Sequence, residues 1–383
     1  MNSVSVWLRQ VTVMTIKELK QLEHDRALFI YIVYIFTLEI FIAAGAASLE
    51  LNRAPLVVLD SDRSAASREL TGRFLPPYFS QSGRIERPGT GLALLDDGEA
   101  KLVLDIPANF QHTLLRGNQP ASVQVQVDTS QANSGFLASN YASRIVAGYG
   151  AQWTQHYLIE AGIDPRDLPA IENRVRLRYN PDLREPWFST LSELLSMMTV
   201  ACILLPAAAM VREKERGTIE QLLVTPLSPF QIMFAKVLSM SLVMLAGALV
   251  ALYGIMVPFY DVPIRGSATL FFALTALYAF TNAGLGLVAA TYARNSAQMG
   301  MLVLLMVMPI IMLSGTWTPL ASMPTWLRDI VFLSPLRHFV DIAYGILLRG
   351  AGLDTLWDSV LAMGLLGLAL FAWGMARFRR QFG

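Results

Sequence analysis

The residues of this chain best placed to do chemistry are ionic. Arg212-Glu213-Lys214-Glu215-Arg216 follow directly on SMMTVACILLPAAAMV, the end of an apolar run long enough to cross a bilayer. Arg and Lys at the end of a span can serve topology alone. The glutamates contribute little to that and call for another use. Gly217 then breaks the chain, and Thr218 opens a new short helix with Gln221 placed to close a capping box. Arg212, Glu213, Glu215, Arg216, Gly217, Thr218 and Glu220 together make a rigid polar knob at a membrane surface, suited to being gripped by a soluble partner.

Covalent chemistry has far less to work with. Cys202 is the only cysteine and lies inside the apolar run, which rules out a disulfide within the chain. His24, His112, His156 and His338 are scattered without ligand-like spacing, so no metal site is expected. No G-x-x-x-x-G-K-[ST] occurs, so the chain has no P-loop to cradle a nucleotide. Glu193, Arg337, His338 and Asp341 suggest no nucleophile–base pair and read as solvated rim groups; no catalytic residue is expected. Glu39 stands near the middle of an apolar run, where an ionisable group is costly and points to function. It can line a substrate path or pair with Asn282, and a buried structural carboxyl is the competing reading.

The elements that must position these groups follow from composition and pattern. Of 383 residues, 54% are hydrophobic and only 15% charged, below the roughly 25% of soluble domains. A net charge of +1 suggests no nucleic-acid partner. Val4, Trp7, Val11 and Met14 predict an amphipathic helix over 3–22 lying in the membrane interface. Residues 27–49 predict a first span, read as an uncleaved signal-anchor. Further spans are predicted at about 187–210, 230–258, 268–292, 299–318 and 355–376, making roughly six. Gly284 and Gly286, with Ala283 and Ala289, favour close helix contact in the fourth.

Between the first and second spans the character changes. Strands are predicted at Leu56–Asp60, Lys101–Ile106 and around Val123–Val127, alternating with helical runs near Ser67–Phe74 and after Pro107. That alternation predicts an α/β domain over 50–186. The Arg and Lys bias of the short loops places both termini and the 212–225 segment in the cytoplasm, and the α/β domain outside. The division expected is 1–49, 50–186 and 187–383.

Arg-Glu-x-Glu-x-Gly-Thr-Ile-Glu after the second span resembles the cytoplasmic signature of ABC-2 type permeases, the membrane subunits of bacterial ABC exporters. Asp-Asp-Gly-Glu-Ala, Ile-Pro-Ala-Asn-Phe, Leu-Leu-Arg-Gly and Val-Asp-Thr-Ser, in that order, resemble the extracytoplasmic domain of the subgroup that exports drugs or lipids from an inner membrane. Gly315, Pro319, Pro324 and Pro335 cut residues 315–350 into pieces too short to span, similar to the re-entrant helices of that family.

The resemblance implies a mainly α fold: six transmembrane helices, an interfacial N-terminal helix, re-entrant helices before the last span, and an inserted extracytoplasmic α/β domain. It implies a permease subunit exporting a hydrophobic or amphipathic substrate. Segment 212–225 would then be a coupling helix seated in an ABC ATPase subunit, which would supply the ATP and Mg chemistry; this chain would hold no cofactor. Further implied partners are a second or sister permease, a periplasmic adaptor and membrane lipid. A mechanotransmission subunit, relaying motor motion to an outside partner without carrying substrate, is the alternative. A secondary transporter is disfavoured by the lack of internal repeats.

Overall fold

A computed structural model describes residues 3–46, 51–116, 119–130, 132–160, 162, 179–180, 184–218, 227–316, 318, 320 and 323–382. The chain forms two compact units, one of residues 1–47 with 177–383 and one of residues 48–176.

The first unit is helical. Its N-terminal helix α1 (Ser3–His24) precedes α2 (Arg26–Phe36) and α3 (Leu38–Ala46). The expected first span runs as one stretch, Arg26–Gly45, with a local break in the helix at Thr37, whose backbone leaves helical geometry while its hydroxyl donates back to the carbonyl of Val33. Among the described residues, six stretches are long and apolar enough to cross a membrane: Arg26–Gly45, Glu185–Glu215, Pro229–Tyr260, Ala268–Tyr292, Ser296–Leu313 and Leu353–Arg377. The fifth ends earlier than the predicted 318, at Leu313.

The second span, α8 (Glu185–Glu215), is the buried centre of the bundle, and the fourth span (Ala268–Tyr292) packs on it and on the last. The glycines of the fourth span permit this. A Cβ on Gly286 would run into the carbonyl oxygen of Ile203 in α8, and one on Gly284 would lie 2.9 Å from the backbone of Leu370 in the last span. Methionines serve both environments: Met233, Met240 and Met244 are buried in the third span, whereas Met301 and Met308 of the fifth are exposed.

After Gly315, which has a left-handed φ of +101°, come two short helices, Thr325–Val331 and Pro335–Tyr344. Pro324 caps the first and Pro335 opens the second, as proline's fixed φ and missing N–H favour. The first helix and the stretch Pro335–Arg349 meet at 84°. Pro319 lies outside the described residues.

Part of the apolar stripe of α1 packs on the third span, while Val4 at its start is exposed. Val11 and Met14 are buried against Ile232 and Ala235 of the third span, and Trp7 faces Phe234 with ring centroids 6.0 Å apart. Sequence periodicity located the stripe but could not say what covers it.

The second unit holds a four-stranded sheet in the order β2 (Phe79–Ile85), β1 (Ala54–Asp60), β3 (Leu102–Ile106), β4 (Gln124–Val127). The first three are parallel and β4 is antiparallel to β3. Leu56, Val58, Leu102 and Leu104 are buried beneath the long helix Ala132–Glu160, whose Tyr149 donates to the carbonyl of Ala66. β2 and this long helix had no expectation from sequence; β2 reads Phe-Ser-Gln-Ser-Gly-Arg-Ile, with only its ends apolar.

Candidate functional site

The last turn of α8 is where the expected site lies. The helix ends in a Schellman motif: Gly217 takes a left-handed φ of +65°, its N–H donates to the carbonyl of Lys214, and the N–H of Thr218 donates to that of Glu213. The Thr218 hydroxyl also points back, to the Glu213 carbonyl at 3.3 Å. The expected capped helix after Thr218, with Glu220 and Gln221, lies outside the described residues.

Four consecutive charges in that turn are each tied to different elements. Arg212 pairs with Asp25, the residue that caps α2 by accepting from the N–H of Leu28. Glu213 is 3% exposed and reaches inward. Its two oxygens take Lys17 of α1 at 2.7 Å and Lys236 of the third span at 2.8 Å. Glu18 closes the ring, accepting from Lys236 at 2.8 Å and Lys17 at 3.0 Å.

Lys214 donates to the carbonyls of Ala290 at 2.6 Å and Ala293 at 3.3 Å, where the fourth span ends. Glu215 accepts from the N–H and hydroxyl of Ser296, at 2.7 and 2.6 Å, where the fifth span begins. A cation on terminal carbonyls and a carboxylate on initial amides each match the helix dipole they meet.

The ring of Lys17, Glu18, Glu213 and Lys236 sums to zero charge, and that is what permits its burial. Two ammonium and two carboxylate groups satisfy one another in alternation, whereas an unpaired member would be strongly destabilising there. Burial alone would raise the Glu18 pKa, but the adjacent Lys236 and Lys17 hold it below the ordinary carboxylate value. Burial likewise opposes charge on Lys17, yet the bond to Glu213 and the fields of both glutamates raise its pKa. Both shifts favour the charged forms of Glu18 and Lys17.

This arrangement corrects one part of the sequence reading. Glu213 is committed inward and has no free face for a soluble partner; among the described members of the group, Glu215, Arg216 and Gly217 are exposed, Glu215 while held by Ser296. Sequence reasoning also missed Lys17, Glu18, Asp25, Lys236 and Ser296 as its partners. A signal existed for two of them. Glu18 falls on the same helical stripe as Val11, Met14 and Leu22, and Lys236 interrupts an apolar run.

The other expected pair is not formed. Glu39 begins α3, half-buried, near Tyr31, Tyr34 and Glu193. Asn282 is fully buried elsewhere, donating to the Tyr278 carbonyl at 3.0 Å, with its own Oδ1 lacking a hydrogen-bond partner among the described residues. Arg337 pairs with Asp341 along one helix turn, and His338 Nε2 meets the carbonyl of Phe332 at 2.8 Å. Among the described residues, no three His, Cys, Asp or Glu side chains group to hold a metal ion.

Comparison with known proteins gives one consistent answer. A family model described as ABC-2 family transporter protein matches residues 26–376. The inner membrane transport permease YhhJ of Escherichia coli K12 is 35% identical over 376 residues, covering 98% of both chains. The probable multidrug ABC transporter permease YbhR of the same organism is 30% identical over 366 residues, 95% of this chain and 97% of its own. A third relative there, the probable multidrug ABC transporter permease YbhS, is 27% identical over 91% of each chain.

Proposed function

This chain belongs to the ABC-2 transporter family, and we propose that it is the permease subunit through which a separate ATPase drives a hydrophobic or amphipathic molecule outward across an inner membrane. The observation that carries the reading is the end of α8. One helical turn holds the N-terminal helix, the start of the first span, the third span, and the junction of the fourth and fifth. A displacement applied there is passed to most of the bundle through charge-assisted contacts rather than through one soft side chain. That is what a point of motor entry requires.

In this reading both termini and residues 212–225 face the cytoplasm, and the unit of residues 48–176 faces the periplasm, as the Arg and Lys bias favours. The short helices of 315–350 form a re-entrant pair at the outer side. Two copies, or this chain with a sister permease, enclose the path, with a periplasmic adaptor receiving the substrate. ATP and Mg are handled by the partner.

The test is purification through a tag on this chain, co-expressed with the cognate ATPase, followed by ATP-driven dye transport in inverted vesicles. Gly217→Val strains the left-handed position by about 1–2 kcal/mol while leaving every charge in place. We expect it to retain the ATPase but lower transport per ATP hydrolysed. Transport at the normal ratio would show that the turn does not transmit motion. ATP turnover with intact assembly and no movement of any tested substrate would favour the mechanotransmission reading.

A further inference from the structure

Beside the ion-pair ring lies a cleft of about 910 Å³ between the end of α1, the start of α2 and the end of α8. We propose that it binds the phosphate of an anionic membrane lipid. Its polar wall is basic: Lys17, Lys20, His24, Arg26, Arg212 and Arg216 line it, against two carboxylates, Asp25 and Glu213. Both carboxylates are already neutralised, Asp25 by Arg212 and Glu213 by Lys17 and Lys236. Among the described residues, Lys20, Arg26 and Arg216 have no carboxylate within ion-pair distance. Among the described residues these three cations around one cleft thus lack a counter-charge, and an anion from outside the chain would relieve their mutual repulsion.

The apolar surroundings select the form of that anion. Val13 and Ile16, which line the cleft, are exposed. Arg26 is the first residue of the first span, and Phe29, Ile30 and Val33 follow it at helical spacing on the same face, 50%, 66% and 46% exposed. A headgroup held by Lys20, Arg26 and Arg216 would lay its acyl chains along that stripe, towards the bilayer core. Free phosphate or an acidic peptide segment uses the charges and leaves the stripe uncovered. The cations also stand at the entry to a span, the level at which headgroups lie, where each basic residue contributes to binding anionic lipid.

The experiment compares the full-length protein with Lys20→Gln/Arg26→Gln, a pair outside the segment assigned to motor coupling. Each is titrated with vesicles of pure phosphatidylcholine or of phosphatidylcholine containing phosphatidylglycerol, and bound lipid is counted by native mass spectrometry. We expect retained phosphatidylglycerol on the wild type, and apparent affinity for it about tenfold or more weaker in the double variant. Lys20→Arg/Arg26→Lys, which keeps both charges, should bind as the wild type does and so shows that loss is not misfolding. Equal retention of phosphatidylglycerol by the Gln variant would overturn the site. Full displacement by millimolar glycerol phosphate would overturn the lipid assignment in favour of a free phosphate. Loss of the co-purified ATPase with lipid binding unchanged would mark the cleft as a protein dock instead. Transport by the wild type is a separate readout, so failure of the lipid site leaves the export reading standing or falling by itself.

Discussion

Lys236 shows most clearly what the charged residues of this permease do. Its ammonium group sits between Glu18 and Glu213, all three nearly excluded from solvent, so its removal leaves two buried carboxylates sharing only Lys17. Lys236→Met should therefore destabilise the protein by about 3–5 kcal/mol, whereas Lys236→Met/Glu18→Leu, which leaves the Lys17–Glu213 pair intact, should recover most of that loss. Thermal unfolding of the two variants in detergent measures it, and equal destabilisation would mean that the ring is not energetically coupled. These roles were only half legible. The charges of 212–216 stand out because they follow an apolar run, but their partners lie far off in the chain, Asp25 and Lys17 upstream by 187 and 196 residues and Lys236, Ala290 and Ser296 downstream, and nothing in sequence spacing shows that Glu213 turns inward while Arg216 does not. Glu39 illustrates the converse: its depth in the run was readable, its neighbours were not, and Asn282 proved to be elsewhere.

Spans and strands follow more directly from local pattern. Gly286 and Gly364 make a controlled pair within the bundle. A Cβ at Gly286 meets the Ile203 backbone, which has nowhere to yield, whereas one at Gly364 meets nothing within 4 Å. Gly286→Ala should lower stability by about 1–3 kcal/mol through overpacking, and Gly364→Ala should be neutral or slightly stabilising through helix propensity; melting temperatures decide. In the sheet unit, Asp128 accepts from the hydroxyl and N–H of Ser130 and pairs with Lys101 at 3.0 Å, which together bring its pKa down to about 2. Because the folded pKa lies below the ordinary value near 4, the stabilisation is complete above that value and is lost as pH falls towards 2. Asp128→Asn should thus be less stable than wild type at pH 7, with the gap closing between about pH 4 and pH 2 in chemical denaturation; a constant gap would exclude the ionised carboxylate as its source. The spans were legible because crossing a bilayer demands an uninterrupted apolar length, and β1 and β3 because buried parallel strands are nearly all apolar. β2 escaped because its middle is polar and exposed, and the break at Thr37 because no proline or glycine marks it.

At the scale of the whole molecule, the proposed function makes α8 the element that receives motion and distributes it. Its burial at the bundle centre and the ties of its last turn make it suited to that task, and an ABC ATPase partner is what the family implies. On the proposed function, Arg216 and Gly217 are the residues nearest the motor. Site-directed crosslinking tests this most directly. Cys202 is buried and is the only native cysteine, so Cys202→Ala supplies a background on which Arg216→Cys introduces a single reactive thiol. With a maleimide–benzophenone reagent attached to that thiol and photoactivated in the assembled complex, where the ketone inserts into a neighbouring C–H bond, an adduct between this position and the co-purified ATPase is expected, with a yield that changes when ATP is bound. A complex that retains stoichiometric ATPase yet gives no adduct from position 216, while a control thiol elsewhere on the same face does, would contradict it.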